Sequence, residues 1–298
     1  MENQTEKLKI AFIVNPFSGM GKHLGIEQAI LKNLDRKKFD YRISFTERPH
    51  HAKELSEQAI SDNCDVIVAV GGDGTVNEVA QPIVGTNRML GIIPSGSGNG
   101  LARHLNIPID SEKAIRLLNG LNSKSIDAVE VNNQFFVSIA GVGFDARVAK
   151  KYAGQKQRGF LKYFQIVFLE YFRYRPRKFT MTVNGKKITR KALFISFANS
   201  DQFGYNTTIA PGAKIDDGLI DICIMKKVPL WKIMLVVPLL FTKKINRSPY
   251  MEIIRANIVD IRQKKKTINL DGEPIKMSKH LHIEVKPQSL KVLVPAKI

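Results

Sequence analysis

The chain has 298 residues, enough for two domains, and its 44% hydrophobic and 24% charged content is that of an ordinary globular protein. Its net charge of +19 favours anionic partners such as nucleotides, nucleic acid or anionic lipid, although a basic surface can also serve solubility alone. A polar N-terminus and the lack of any run of ~18 apolar residues argue against secretion and membrane spans. Cys64 and Cys223 lie far apart, without metal-type spacing and beside or inside apolar runs, which predicts buried thiols and is consistent with a reducing cytoplasm.

The first part of the chain alternates short apolar strands with amphipathic helices. Strands are predicted over 10–14, 41–45, 66–70 and 89–93, and helices over 26–34, 52–61, 75–84, 101–105 and from the Asp110 cap to 118. Repeated strand–helix alternation with apolar strands predicts a parallel, doubly wound sheet with helices on both faces.

Small-residue turns follow three of these strands, at 15–21, 71–74 and 95–100. In open α/β sheets, ligands bind at the carboxyl ends of the strands. The stretch VIVAVGGDGTVNE reads as a buried strand, a glycine turn, a carboxylate and a helix start, with Thr75 and Glu78 predicted to form a capping box. This order lets backbone approach a phosphate closely and sets Asp73 beside it. The chain carries no motif of P-loop nucleotidases, elbow-type hydrolases or protein kinases.

Strand signals dominate after residue 125. They cover 128–131, 135–140, 179–183, 192–198, 219–225, 257–261, 267–270, 282–285 and 290–294, and Asn184-Gly185 is a hairpin signal. A second, mainly β domain is expected. Segments 159–177 and 228–247 are rich in aromatic and apolar residues and flanked by cations. Each is either an interfacial helix at a membrane or a helix packed on the β domain, and the two readings can coexist on opposite faces.

Residues 71–78, GGDGTVNE, resemble the signature of the superfamily of diacylglycerol and sphingosine kinases, which also includes NAD kinases and, more distantly, phosphofructokinases. The resemblance extends along nearly the whole chain. The blocks NPFSG, PSGSGN, GVGFD, PGAKIDDGL and DGE, which begin at residues 15, 94, 141, 211 and 271, are similar to family blocks in the same order. The closest likeness is to soluble bacterial lipid kinases.

The resemblance implies a doubly wound α/β nucleotide-binding domain over 1–125, rejoined by about 290–298, and a β-sandwich acceptor domain over 126–289. The active site would lie in the cleft between them. It implies transfer of the γ-phosphoryl group of ATP, with Mg²⁺, to a lipid hydroxyl of the diacylglycerol or sphingoid-base type. It further implies a cytoplasmic homodimer that meets its lipid peripherally at the inner face of the membrane and binds no specific nucleic acid.

The resemblance implies a role for each residue of this chain that matches a functional position of the family. Asp271 is expected to be the general base, with Glu273 beside it and Asp73 near the transferred phosphate. Nucleotide contacts are expected from Asn15, Ser18, Thr46, Gly72, Gly74, Thr75, Glu78, Ser97 and Asn99. The metal assignments are Asp127 for a catalytic Mg²⁺ held through water, and Lys214, Asp217 and Leu219 for a structural Mg²⁺. Asp145 is expected to contact the polar head of the acceptor.

Several alternatives stay open from the residues alone. Asp73, Asp217 and Asp271 also suit ordinary turns, and Asp127 suits a solvated strand edge. Many bacterial relatives carry an aspartate where this chain has Gly100. The glycine makes this turn more similar to that of sphingosine kinases, so the turn does not decide between diacylglycerol and a sphingoid base as the acceptor. An NAD kinase shares GGDGT, although its N-x-G-x-x-G-F block is not seen. The charge alone would permit a non-catalytic nucleotide or nucleic-acid binder.

Overall fold

The computed structural model describes residues 7–19, 25–155, 159–204 and 206–296, apart from the side chain of Phe160. The last two positions of the predicted 15–21 turn and the end of the predicted 290–298 return lie outside the described residues. The chain divides into two compact units. Unit 1 is the chain up to Ile126 together with the segment from Gln288, and unit 2 is Asp127–Pro287.

Unit 1 is a parallel sheet covered by helices. Its strands are β1 (Leu8–Val14), β2 (Phe39–Phe45), β3 (Val66–Gly71) and β4 (Met89–Pro94), in the parallel order β2-β1-β3-β4. Its helices are α1 (Ile26–Asn33), α2 (His51–Ser61), α3 (Asp73–Ile83), α4 (Gly100–His104) and α5 (Ser111–Leu118). Lys291 and Val292 of the last strand pair in parallel with β4, so the chain returns to this sheet.

Alternation along the strands divides the core of unit 1 into two layers. Val66, Val68 and Val70 of β3 pack in one cluster with side chains of α1 and α5. Ile67 and Ala69 are also fully buried and point to the other face, because successive strand residues alternate. A strand buried on both faces explains the uninterrupted apolar run VIVAV and confirms the predicted α/β layering.

Unit 2 is mainly β. Its elements are β5 (Ser123–Val131, entering from unit 1), β6 (Gln134–Phe136), β7 (Ile139–Gly143), α6 (Phe144–Ala153), α7 (Phe160–Arg173), β8 (Arg177–Val183), β9 (Lys186–Ala192), β10 (Phe194–Ala198), β11 (Gln202–Gly204), β12 (Thr207–Thr208), β13 (Ile220–Met225), α8 (Leu230–Phe241), β14 (Met251–Ala256), β15 (Ile258–Arg262), β16 (Thr267–Leu270), β17 (Glu273–Lys276) and β18 (His280–Leu293).

Two layers of antiparallel strands enclose the core of unit 2. One has the order β14-β13-β10-β7-β16-β17, and the other contains β18-β15-β8-β9. Apolar side chains of both layers form one buried cluster, including Val142 and Ile222 of the first layer and Met181 and Ile261 of the second. The predicted β-sandwich is confirmed.

Several predicted elements differ from the observed ones. The strand expected over 135–140 is broken between β6 and β7, because the N–H groups of Val137 and Ser138 bind a carboxylate instead of a neighbouring strand. The strands expected over 282–285 and 290–294 are one strand, β18. Helix α6 and strands β9, β11, β12, β14 and β17 had no separate prediction. Both aromatic segments are helical, as α7 and α8, and no helix described here is long and apolar enough to span a membrane.

Candidate functional site

The turns that follow β1, β3 and β4 meet at one edge of the sheet in unit 1. The hydroxyl groups of Ser18 and Ser95 hydrogen bond at 2.7 Å and join the first turn to the third. The Nδ2 of Asn15 donates to Oγ1 of Thr75 at 3.0 Å and joins the first turn to α3. Parallel neighbouring strands end on the same side, so residues far apart in sequence share this edge.

Two glycines let the second and third turns touch through backbone. A Cβ atom added to Gly96 would lie 2.5 Å from the Cα of Gly72. Real Cβ atoms do not approach a backbone carbon so closely, and therefore a side chain at Gly96 would push the turns apart. Bare backbone that can come close to a ligand is the usual basis of phosphate binding at such turns.

The predicted capping box of Thr75 and Glu78 is wrong. Helix α3 begins at Asp73, and its N-cap is the extended residue Gly72, which has no side chain that could cap the helix. Thr75 lies within the first turn, where its hydroxyl accepts the hydrogen bond from Asn15. Glu78 accepts a hydrogen bond from the N–H of His50 at 3.2 Å and so contacts the start of α2.

Asp73 holds the third turn in place. Its Oδ2 accepts a hydrogen bond from the N–H of Asn99 at 2.9 Å, and its Oδ1 accepts one from the N–H of Gly100 at 2.6 Å. Burial raises the pKa of Asp73, and these two N–H groups oppose the rise because they favour the ionised carboxylate. A Cβ atom on Gly98 would lie 2.7 Å from the carboxylate, so the turn fits closely around it.

A buried acceptor at this edge is available to a ligand. The Nδ2 of Asn99 donates to the carbonyl oxygen of Gly96 at 2.8 Å, whereas its Oδ1 is buried and has no partner within the described part of the chain. An unpaired buried oxygen is unfavourable by about 1–3 kcal/mol. A ligand that brings an amino or hydroxyl group here would remove this cost, which is an observation in favour of a nucleotide.

The other residues predicted to contact the nucleotide differ in their burial and in the element that carries them. Thr46 is buried where β2 ends, and its N–H donates to the carbonyl oxygen of Val14 at 2.8 Å, so it lies at the same sheet edge. Gly74 is in the first turn of α3, and Ser97 is exposed on the third turn. The nucleotide roles of all these residues stay predictions.

In unit 2, Asp271 is held by three backbone N–H groups. It follows β16 in a tight hairpin turn, where Asp271 has φ 46° and Gly272 has φ 93°. Its carboxylate accepts hydrogen bonds from Val137 at 2.8 Å, Ser138 at 2.9 Å and Ile139 at 2.8 Å. Asp271 can therefore be both a residue of the hairpin turn and a candidate catalytic residue. Glu273 begins β17, two residues further on.

The side chain of Asn199 ties this site to Asp127. Its Nδ2 donates to the carbonyl oxygens of Asp127 at 2.8 Å and of Val137 at 2.9 Å. The hydroxyl groups of Ser200 and Ser138 hydrogen bond at 2.7 Å. Sequence reasoning did not single out Asn199 or Ser200. Their position in the sequence could have indicated them, since these two small polar residues directly follow the apolar strand β10.

Asp145 lies in a buried polar pocket of unit 2. It is in the first turn of α6, and its Oδ2 accepts a hydrogen bond from Nδ2 of Asn269 at 2.9 Å. Burial raises the pKa of Asp145 to about 6, against the opposing effect of the Asn269 hydrogen bond. The carboxylate lies over Gly141, where any side chain would overlap it.

Strand pairing places Ser196 and Asn269 on either side of Gly141. The Oγ of Ser196 and the Oδ1 of Asn269 are buried without a hydrogen-bond partner in the described residues. Directly paired strand residues face the same side, so both flank the Asp145 carboxylate. Sequence reasoning missed both residues, because strand register is not visible in a single chain.

The residues predicted to bind metal belong to two predicted sites, one for a structural and one for a catalytic magnesium ion. In the part of the chain that the structure describes, no group of three or more His, Cys, Asp or Glu side chains is placed to hold a metal ion. Asp217 accepts a hydrogen bond from the N–H of Leu219 at 3.2 Å, and its other oxygen is paired with Arg255. Because an arginine already neutralises this carboxylate, Lys214, Asp217 and Leu219 do not fit a structural magnesium ion as they are arranged.

A catalytic magnesium ion is a different requirement. Mg²⁺ in kinase sites keeps several waters and is held by one or two carboxylates together with substrate phosphates. Asp127 offers a carboxylate of this kind. It is fully buried, and its Oδ2 accepts a hydrogen bond from the N–H of Gly218 at 2.7 Å. Its role toward a catalytic magnesium ion stays a prediction.

Known proteins match nearly the whole length of this chain. Residues 9–131 match the model of the diacylglycerol kinase catalytic domain, and residues 138–294 match the YegS C-terminal NAD kinase beta sandwich-like domain. A diacylglycerol kinase of Mycobacterium tuberculosis (strain ATCC 25618 / H37Rv) is 26% identical over 96% of this chain and 95% of the relative. A probable lipid kinase YegS-like of Yersinia pestis (strain Pestoides F) is 28% identical over 92% and 95%.

Solved structures show the same fold. A diacylglycerol kinase structure from Bacillus anthracis str. Sterne, 21% identical, superposes with a TM-score of 0.71 and covers 97% of this chain and 98% of its own. The YegS-type model alone covers more than half of the chain, and it follows the diacylglycerol kinase model in the expected order. The chain therefore belongs to the lipid kinase family in which a diacylglycerol kinase catalytic domain precedes a YegS-type C-terminal domain.

Proposed function

We propose that the protein transfers the γ-phosphoryl group of ATP to a hydroxyl group of a lipid of the diacylglycerol or sphingoid-base type. The junction of three turns around Asp73 carries the proposal, because it gathers close backbone, hydroxyl groups and one carboxylate at a single sheet edge. The kinase names of the relatives support it.

In this proposal, unit 1 binds the nucleotide. The bare backbone of Gly72 and Gly96 allows phosphate oxygens to approach N–H groups at the start of α3. The hydroxyl groups of Ser18 and Ser95 supply further donors, and the unpaired Oδ1 of Asn99 accepts from an amino or hydroxyl group of the ligand. Phosphoryl transfer depends mainly on such positioning and on charge stabilisation.

Asp271 is the proposed proton acceptor. As the oxygen of the acceptor bonds to the γ-phosphorus, its proton passes to the carboxylate. The bond from the γ-phosphorus to the β,γ-bridging oxygen breaks, and ADP leaves. A carboxylate fixed by three N–H groups keeps its orientation without the entropy of a mobile side chain. Mg²⁺ bound with ATP, with Asp127 as the proposed carboxylate, would spread the negative charge.

The pocket of Asp145, Ser196 and Asn269 is the proposed site for the polar head of the acceptor. Its two unpaired oxygens can accept hydrogen bonds from amino or hydroxyl groups. The YegS-type domain is described as NAD kinase-like, so NAD is the second acceptor to compare.

The test uses the purified chain, labelled ATP and Mg²⁺ with diacylglycerol, a sphingoid base or ceramide in mixed micelles, or with NAD. Mass spectrometry identifies the phosphorylated product. A phosphorylated lipid is expected, and Asp271→Asn should lower kcat by about 10²–10⁴-fold while binding of a fluorescent ATP analogue is kept. Asp260→Asn, a carboxylate on β15 of the same unit, is the control and should be close to wild type.

Three outcomes would count against the proposal. Folded protein that binds ATP but labels no lipid would refute lipid kinase activity. Formation of NADP alone would reassign the protein to NAD phosphorylation. Wild-type turnover by Asp271→Asn would leave the lipid substrate in place but remove Asp271 as the proton acceptor.

A further inference from the structure

Helix α7 packs Ile166, Tyr163 and Tyr171 inside together with its acidic side chain, and it presents a second apolar stripe, with Phe164, Phe168 and Phe172, outside. Glu170, the only acid of the helix, is 1% exposed and paired with Arg147 and Lys151 of α6. The opposite stripe repeats at helical spacing and is exposed; it consists of Leu161, Phe164, Phe168, Leu169 and Phe172. A helix packed on one face normally has a polar face toward water, so this second apolar stripe indicates a surface that a partner covers.

Helix α8 presents a second apolar face. Its exposed large side chains are Leu230, Trp231, Met234, Leu235, Val237 and Phe241. Trp231 is 74% exposed and Met234 is 81% exposed, values typical of surface lysines rather than of large apolar residues. The one charged residue of the helix, Lys232, lies over the ring of Trp231, with its Nζ 4.6 Å from the ring centroid.

The two helices are neighbours at one end. The hydroxyl group of Tyr171 in α7 donates to the carbonyl oxygen of Val228, just before α8. The Nζ of Lys227 donates to the carbonyl oxygen of Tyr174, just after α7, at 2.8 Å. Phe194 packs against the apolar clusters beneath both helices. Both exposed faces therefore belong to one region of unit 2.

The charged residues of the two segments that contain these helices are almost all cations, one of which, Lys243, is paired with Asp201. Segments 159–178 and 226–251 contain eleven cations: Lys162, Arg173, Arg175, Arg177, Lys178, Lys226, Lys227, Lys232, Lys243, Lys244 and Arg247. Their only acid is the buried Glu170. A second copy of the chain on this face would bring like charges together. A nucleic acid would match the cations but leave the apolar side chains unused.

We propose that α7 and α8 form a docking surface for an anionic phospholipid bilayer. The aromatic and aliphatic side chains enter the boundary between head groups and acyl chains, and the surrounding cations meet lipid phosphates. Tryptophan and tyrosine beside apolar residues suit this boundary because their rings are amphipathic. The surface serves membrane attachment whatever reaction the protein catalyses.

Trp231 is the single tryptophan of the chain and reports directly on the proposed contact. The full-length wild-type protein is mixed, without ATP, with vesicles of equal parts phosphatidylglycerol and phosphatidylcholine, or of phosphatidylcholine alone. A blue shift of Trp231 emission is expected with the anionic vesicles. Quenching should be stronger by acyl chains brominated near the glycerol than by chains brominated near the methyl end. Affinity should fall at least tenfold on vesicles of phosphatidylcholine alone.

Vesicle sedimentation compares variants that carry matched controls. Leu169→Ser should weaken binding about tenfold. Leu31→Ser on α1 should leave it within twofold, although the two leucines have nearly equal exposures of 47% and 49%. Lys244→Glu should weaken binding of anionic vesicles about fivefold or more, whereas Lys187→Glu on β9 should not.

The proposal is overturned if wild-type protein binds anionic and neutral vesicles equally weakly with no change in Trp231 emission. It is also overturned if Leu31→Ser weakens binding as much as Leu169→Ser does. A dimer in light scattering that Leu169→Ser disperses, without any vesicle affinity, would assign the surface to self-association. None of these measurements depends on kinase activity, so they separate this proposal from the proposed reaction.

Discussion

The Oδ1 of Asp73 accepts a hydrogen bond from the backbone N–H of Gly100 at 2.6 Å, and this bond joins the glycine turn after β3 to the first residue of α4. The carboxylate is thus a structural part of the turn cluster as well as a group with catalytic potential. Any change at Asp73 should therefore alter two measurable quantities, the stability of unit 1 and the binding of nucleotide.

Asp73→Asn should lower the free energy of unfolding by about 1–3 kcal/mol, because an amide cannot accept from both Asn99 and Gly100 as well as a carboxylate does. Urea unfolding followed by circular dichroism measures this change. The affinity for an ATP analogue should also fall, because the third turn loosens. Asp40→Asn, an exposed carboxylate on β2, is the matched control. Equal stability of the two variants would contradict the structural role.

Gly96→Ala should reduce nucleotide affinity at least tenfold, because the added Cβ would lie 2.5 Å from the Cα of Gly72 and separate the two turns. Calorimetric titration with a non-hydrolysable ATP analogue measures the affinity. Gly212→Ala is the control, since a Cβ atom there meets nothing within 4 Å. Normal nucleotide affinity of the Gly96 variant would place the nucleotide away from these turns.

The stability of the protein should depend on pH through Asp145. Because its folded-state pKa of about 6 is above the usual 3.8, the folded state holds the proton more tightly than the unfolded state. The stabilisation is complete below about pH 4 and is lost as the pH rises through about 6, with a maximum of about 3 kcal/mol.

Asp145→Asn should flatten this part of the pH profile. The Nδ2 that it introduces can donate to the unpaired Oδ1 of Asn269. Urea unfolding of both proteins between pH 4 and 7 gives the difference, with the exposed Asp40→Asn on β2 as the matched control. Parallel profiles of wild type and Asp145→Asn would show that Asp145 is ionised throughout this range.

In unit 2, we expect Arg255 to supply Asp217 with the positive charge that a structural magnesium ion would otherwise supply. Arg255→Ala leaves Asp217 and the buried Asp221 without their cation, which should cost about 1–3 kcal/mol, given that the arginine is partly exposed. Millimolar Mg²⁺ should raise the thermal midpoint of this variant and leave that of wild type unchanged. Arg262→Ala, an exposed arginine at the end of β15, is the control. A midpoint of wild type that rises with Mg²⁺, but not in Asp217→Asn, would restore the structural magnesium site.

Local features were predicted well from the sequence. The buried strand of Val66–Gly71, the Asp110 cap of α5 and the Asn184-Gly185 hairpin are all confirmed. In each case the deciding interactions lie within a few residues of one another: apolar runs, a side chain that accepts from the N–H three residues on, or a turn that needs positive φ. The order of the family blocks along the chain also predicted correctly that an α/β fold precedes a β-sandwich.

The misses share a physical cause. Thr75 is not a cap because α3 begins earlier, at Asp73, and its hydroxyl instead accepts from Asn15, sixty residues earlier. The strand over 135–140 breaks because Asp271, more than 130 residues later, accepts from the N–H groups at the break. Backbone donors and side-chain hydroxyls take the best available partner, and a partner distant in sequence is invisible to local patterns.

By itself, the sequence determined the two fold classes, the phosphate-type turns and the list of carboxylates, because these follow from periodicity, glycine spacing and residue chemistry. Only the tertiary structure decided what each carboxylate does. Asp73 holds a turn, Asp271 rests on three N–H groups, Asp145 is buried over Gly141, and Asp217 is neutralised by Arg255. The chemistry of a carboxylate depends on the donors, charges and solvent around it, and those come from distant parts of the chain.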